Sequence, residues 1–231
     1  MRLPHNPGRR TGLIYLLICL LAPLRLMYIP GKLFLHGDAA ATAANITSHE
    51  TLFRIGIAAD LATGVLTLCL TLALYRLLSS YGRHLAVLVV VLGGVLPCAL
   101  YFVNTLNDAA ILLLLRGSDI LAPFSTPQRD ALISLFTRLH AEGVHISEVF
   151  WGLWLLPLAV LTWRSCLLPR FLAIWLSLNG LAYVIQALVG ILAPQREDAV
   201  SNALSPILFG EIVFMLWLII KGTKSSSATT G

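Results

Sequence analysis

The stretch HAEGVHISEVFWGLWLLPLAVLTW, His140–Trp163, changes character at one point. Up to Glu148 it carries His140, Glu142, His145 and Glu148; from Val149 onward it is almost wholly apolar, with Pro157 inside the run. The segment 144–163 has the 20 or so residues that a bilayer crossing takes and reads as a transmembrane helix. Polar side chains at its edge are either the wet end of that helix or a site that must hide from hydrocarbon.

The rest of the chain has the same character. Its 231 residues are 58% hydrophobic and 12% charged, and the mean hydropathy is +0.84. Soluble domains carry about a quarter charged residues, so this chain has too little polar surface to clothe a water-soluble globule. The expected partner is the lipid bilayer. The net charge of +5 does not indicate nucleic acid, because the basic residues flank apolar runs and form no patch. Cys19, Cys69 and Cys98 lie inside apolar runs and Cys166 ends one, with no metal-ligand or CxxC spacing. They read as small buried hydrophobes, and no resident cofactor or metal is expected.

Six spans are expected, at about 11–29, 52–79, 84–110, 144–163, 171–193 and 203–220. The basic, then apolar N-terminus resembles a signal peptide. The small-residue stretch AAATAA (Ala39–Ala44) lies too far beyond the apolar core to serve as its cleavage site, so the first segment reads as an uncleaved helix. One face gathers Arg2, Arg9, Arg10, Arg76, Arg83, Arg164, Arg170, Lys221 and Lys224, nine bases and no acid. The opposite loops mix Lys32, Arg116, Arg129, Arg138 and Arg196 with most of the acids. The positive-inside rule then places both termini in the cytoplasm. The fold class is all-α: an N-in/C-in bundle of six transmembrane helices in one domain over 11–221. Residues 1–10 form a cytoplasmic N-terminus, and 222–231 a disordered cytoplasmic tail.

Local signals refine the ends. TSHE (Thr47–Glu50) fits a capping box for the second span. Thr126 and Pro127 open STPQRDALISLFTRLH, whose Leu132, Leu135, Phe136 and Leu139 share one face. That segment is an amphipathic helix on the outer surface before the fourth span, or an extension feeding it, with Gly143 as the joint. Pro97 and Pro157 are expected to kink the third and fourth spans.

Counting from the basic ends at about 1.5 Å per residue puts the polar side chains at a shared depth. Asp60 falls about 24 Å from Arg76, and Glu148 the same distance from Arg164. Arg25, Asn104 and Gln186 fall at similar levels, and Glu211 near the midplane of the last span. Asp108, about 36 Å from His84, falls beyond the core, in water. A lone charge in the bilayer core costs about 2.5–3.5 kcal/mol on insertion scales, so a shared level implies one outward-facing polar cavity. Its candidate members are Asp60, Glu211, Glu148, Arg25, Asn104 and His145. Gly56, Asp60, Thr63, Gly64, Thr67 and Thr71 form a small-or-polar stripe that turns Asp60 toward protein. Arg25 has a second reading, as a snorkelling residue near the headgroups. Glu142, His145 and Glu148 step by three residues, and E-x-x-H is a spacing used in bundle metal sites. A second copy is missing, and a water-exposed helix end explains His140 and Glu142 as well.

GDAAATAANI, LFRIGIAADL, LHAEGVHISEVFWGLWLL and RSCLLPRFLAIW together resemble a bacterial family of small polytopic membrane proteins, domain of unknown function 4386. The resemblance runs from about Gly12 to about Tyr183. It rests on Gly37, Asp38, Thr42, Asn45, Phe53, Arg54, Gly56, Asp60, His140, Gly143, Phe150, Gly152, Arg164, Ser165 and Pro169. It implies a six-helix inner-membrane protein and brings no activity or cofactor. His145 and Glu148 fall outside the pattern, which shifts weight toward Asp60, Arg54, Asp38 and His140; Asp38, Asn45, Arg54 and His140 are the family-pattern residues of the outer face.

Three functions fit these features. The first is a carrier or sensor of protons or a small solute. The second is a metal-dependent intramembrane enzyme, motivated by Glu142, His145 and Glu148; without a metal there is no nucleophile–base pair to support an enzyme. The third is a structural or accessory membrane protein without cargo. Cargo and oligomeric state are not encoded in any motif present.

Overall fold

The computed structural model describes residues 6–35, 37–117 and 121–223. The regular structure among them is helical, with no strand. In chain order the elements are α1 (Pro7–Leu33), α2 (Ala39–Ser48), α3 (Glu50–Tyr81), α4 (Arg83–Arg116), α5 (Thr126–Ser165), α6 (Arg170–Leu192) and α7 (Pro194–Ile220). All but α2 are long and apolar enough to cross a membrane, which makes six spans.

The distribution of side chains is that of a protein solvated by hydrocarbon. Leu20, Met27, Val103, Leu106, Leu113 and Ile220 are at least 60% exposed, while Arg25, Asp60, Asp108 and Glu148 are buried. In water this arrangement is costly; in lipid each group lies where its solvation demands. The chain is therefore a multi-pass membrane protein.

The chain divides into two compact units. The first comprises 1–19, 66–97 and 145–231. Its core holds Leu70, Leu74, Leu158, Leu172, Leu176, Phe214 and Leu218. Backbones touch within it at Gly152 and Gly180: a Cβ on Gly152 would stand 2.4 Å from the Gly180 carbonyl oxygen. This is the small-residue packing that membrane helices use. Asn6 also closes this unit, because its Nδ2 donates to the Thr223 carbonyl at 2.9 Å and its Oδ1 accepts from the Thr223 amide at 3.1 Å. The second unit comprises 20–65 and 98–144, with a core of Ile29, Leu33, Ile46, Phe53, Ile111 and Ile133.

Several boundaries differ from expectation. The segment before the fourth span is an extension of it: Thr126–Leu153 is one continuous helix. Gly143 is no joint. The interruption comes at Trp154, because Pro157 has no N–H to donate to the Leu153 carbonyl. Gln128 closes the start of α5, accepting from the Ser125 amide at 2.8 Å and its hydroxyl at 3.1 Å. The TSHE capping box does not form. Thr47 lies inside α2 and donates to the Ala43 carbonyl at 2.8 Å, and α3 begins at Glu50. Helix α2 itself arises from Asp38, which accepts from the Ala41 amide at 2.9 Å, followed by alanines of high helix propensity. The four cysteines form no disulfide, and none is fully buried: Cys19 and Cys98 are half-buried, and Cys69 and Cys166 are exposed. The tail from residue 224 onward lies outside the described residues.

Prolines also set the wide turns. Val91–Val95 is a π-helical turn just before Pro97. Leu24–Tyr28 is another, bracketed by Pro23 and Pro30. Such turns accommodate the carbonyls that proline leaves without a donor, and they occur often at functional sites.

Candidate functional site

Arg25 is the second residue of the α1 wide turn and reaches three other helices of the second unit. Its Nε donates to Asp60 Oδ2 on α3 at 2.6 Å. Its Nη2 donates to Asp108 Oδ2 on α4 at 2.8 Å and lies 2.7 Å from Nε2 of His140 on α5. Nδ1 of His140 is 3.3 Å from Asp108 Oδ2. A guanidinium only donates, so the ring nitrogen that bonds it must accept. The consistent tautomer is a neutral imidazole with its proton on Nδ1, toward Asp108.

Two residues hold these partners in place. Asn104 Nδ2 donates to the His140 carbonyl at 3.0 Å, and Asn107 Nδ2 donates to Asn104 Oδ1 at 3.0 Å. Gly143 makes room for that amide: a Cβ there would meet Asn104 Oδ1 at 2.2 Å. Gly56 lies against Ile29 and the aliphatic stem of Arg25. One guanidinium faces two carboxylates and a neutral histidine, which leaves the buried group one negative charge when both carboxylates are ionised.

The first unit holds the other expected acids with separate partners. Glu211 Oε1 accepts from the Tyr15 hydroxyl, and Tyr183 bonds the same carboxylate. The Glu211 amide donates to Asn179 Oδ1 at 3.2 Å, while Trp175 Nε1 donates to the Ile207 carbonyl at 3.0 Å. Amide 211 and carbonyl 207 are the two ends of one helical rung, and side chains of α6 engage both, where α7 breaks at Phe209. Glu148 Oε1 accepts from Gln186 Nε2 at 3.1 Å, and His145 stands beside it.

The family model described as "Domain of unknown function (DUF4386)" matches residues 10–222. The chain belongs to the DUF4386 family. No curated protein and no solved structure matches it.

In this DUF4386 chain, several expectations from sequence need correction. Asp108 is not in water: it is 1% exposed and pairs with Arg25. Arg25 does not snorkel, since it is buried among carboxylates. His140 is buried at the cluster, whereas Glu142 is the exposed group of the E-x-x-H row. The six residues assigned to one cavity fall into three groups by their contacts. Arg25, Asp60 and Asn104 belong with His140; Glu148 belongs with His145 and Gln186; Glu211 belongs with Tyr15, Tyr183 and Asn179. Asp38 is a surface helix cap, and Arg54 pairs with Glu50 at 2.5 Å on an exposed helix face. Asn45 Nδ2 reaches the Leu33 carbonyl at 3.5 Å.

One donor atom each from Asp60, Asp108 and His140 lies within 4.8 Å of the others, the spacing of a metal triad. The Arg25 guanidinium already uses those lone pairs. A divalent ion would have to displace it, so the donor set does not fit a metal while Arg25 is in place.

Proposed function

We propose that this chain is a proton-responsive carrier or sensor in the cytoplasmic membrane of a bacterium, working through the Arg25–Asp60–Asp108–His140 cluster. The observation that carries this reading is the imbalance of buried charge: two carboxylates face one guanidinium, with a neutral imidazole at its edge. Low dielectric makes an uncompensated charge costly, and one proton cancels it. The four residues come from α1, α3, α4 and α5, so a proton that redistributes their bonds acts on four helices at once. The Arg25 side chain leaves from a wide turn, where the backbone has slack to follow.

In this reading both termini lie in the cytoplasm, supported by the basic flanks of the spans. The partners in this reading are lipid and the proton, with a small solute as the coupled cargo of a carrier.

The test is a pH step on the purified protein in lipid vesicles, followed by infrared difference spectroscopy. The wild type should show a carboxyl protonation signal that disappears in D60N or D108N. An indicator dye in the vesicle lumen then separates a carrier, which passes protons under a gradient, from a sensor, which binds without flux. If both variants retain the full signal, the cluster does not bind the proton. One reading competes on a specific observation: Arg25 ties four helices together and can serve as a pure lock. A lock predicts weakened folding in these variants with no lost proton signal.

A further inference from the structure

Away from the Arg25 cluster, His145 presents both ring nitrogens to carboxylates on different helices. Nδ1 is 3.5 Å from Glu148 Oε2, one turn further along α5. Nε2 is 3.6 Å from Glu197 Oε1 near the start of α7. All three residues lie in the first unit. The two ends differ in environment. Glu148 is 7% exposed, while the Glu197 side chain is 37% exposed and is followed by the exposed Asp198 and preceded by the exposed Arg196. A run of charges this dense lies in water or headgroups, not hydrocarbon.

The buried end is held ready. Gln186 Nε2 donates to Glu148 Oε1 at 3.1 Å and fixes that oxygen. Oε2, the atom facing the imidazole, has no hydrogen-bond partner. Gly190 admits the ring: a Cβ there would stand 2.8 Å from His145 Nδ1. Among the described residues, Glu148 on its own helix and Glu197 on α7 are ionisable groups beside His145; from α6, Gly190 lies against the ring and the neutral Gln186 bonds Glu148. Beyond Glu148, Tyr183 is within its electrostatic reach and bonds Glu211.

We propose that His145 is a proton relay joining the wet carboxyl of Glu197 to the buried carboxylate of Glu148. The O–H bond of protonated Glu197 breaks as an N–H bond forms at Nε2, giving an imidazolium. The Nδ1–H bond then breaks and the proton forms an O–H bond with Glu148 Oε2. The ring is left neutral in the other tautomer and resets by rotation or by reversal. Both gaps exceed a hydrogen bond by a few tenths of an ångström, which rotation of the exposed Glu197 side chain and a small tilt of the ring close. Imidazole suits the step because its two nitrogens accept and release on opposite sides near neutral pH. This reading uses none of the Arg25 cluster, and its spectroscopic signal belongs to a different carboxyl group.

The full chain in lipid vesicles is followed by time-resolved infrared spectroscopy after a light-triggered proton release. A protonation band lost in E148Q identifies Glu148. In H145Q and E197Q that band should rise at least ten-fold more slowly to the same final amplitude. In H145A, added free imidazole should restore the rate. A rise in H145Q as fast as in wild type overturns the relay, as does the absence of any band that E148Q removes. H145Q keeps a hydrogen-bonding side chain of similar size, and a variant with unchanged amplitude is folded by that fact. A merely structural role changes amplitude, and imidazole does not rescue it.

Discussion

Arg25 Nη2 and Asp108 Oδ2 stand 2.8 Å apart across 83 residues of sequence, both almost wholly buried. Removing the cation strands two carboxylates. Arg25→Ala should therefore destabilise the protein by about 3–5 kcal/mol. Arg25→Lys should recover only part of that, since an ammonium cannot form the same fork. The triple variant R25A/D60N/D108N, which removes the stranded charges as well, should be more stable than R25A alone. Unfolding in mixed micelles measures all three, and equal stability of R25A and the triple variant would show that charge is not what the arginine answers.

Gly143 and Asn104 should behave as a coupled pair. A methyl group at residue 143 collides with the Asn104 amide, so Gly143→Ala should cost about 1–3 kcal/mol. Asn104→Ala removes the obstacle along with the bond to the His140 carbonyl. The double variant should then be more stable than the sum of the singles requires, with a coupling of about 0.5–3 kcal/mol. Strict additivity would mean that the amide yields without losing its bond.

Trp175 and Asn179 sit one turn apart on α6 and engage the two ends of one α7 rung. Trp175→Phe and Asn179→Ala should each cost about 1 kcal/mol. Hydrogen exchange gives the sharper readout. The amide of Glu211 should exchange faster in Asn179→Ala, and the α7 segment around Phe209 should open in both. Protection equal to wild type would place the support of this break elsewhere.

The orientation has a direct chemical test. Cys166 is exposed in the turn between α5 and α6, beside Arg164 and Arg170, while Cys69 lies within a span. A membrane-impermeant maleimide should label Cys166 in inside-out vesicles and not in intact cells. Labelling in intact cells would reverse the topology.

How much of this was legible depended on the dimension in question. Periodicity and length carried the six spans, because hydrocarbon sets both. Asp60 was legible as well: a lone carboxylate among glycines and threonines has to face protein. Asp108 was misplaced because depth was counted at helical rise from His84, as though the span crossed the bilayer straight. Helix α4 is 34 residues long, more than a straight crossing takes, and AAILLLLR follows Asp108. That apolar run was the available signal. The sequence leaves His140 open between a wet helix end and an outer-face site residue, because it does not tell whether the amphipathic stretch is separate from the fourth span; Thr126–Leu153 is continuous.

Depth alone also merged what contacts separate. Glu148 and Asp60 share a level by counting, yet Glu148 bonds Gln186 and Asp60 bonds Arg25. The rotation of a helix about its own axis decides such pairings. In spans that carry polar residues on several faces, the hydrophobic pattern specifies that rotation weakly. Tyr15, Tyr183 and Asn179 were missed for a related reason. Each is an ordinary residue in an apolar run until Glu211 is placed beside it.

The wide turn at Leu24–Tyr28 makes the site sensitive to chain length in a way no point substitution shows. A π turn stores one surplus residue. Deleting Met27, which points outward, would let the helix relax to regular winding with Ile29 and Leu33 still in their seats, so the change would fall on the turn itself and on the reach of Arg25. Relatives lacking one position here would keep the packing of the flanks and need a different anchor for the arginine. Gaps in an alignment of the family at this turn should therefore coincide with changes at Asp60 and Asp108.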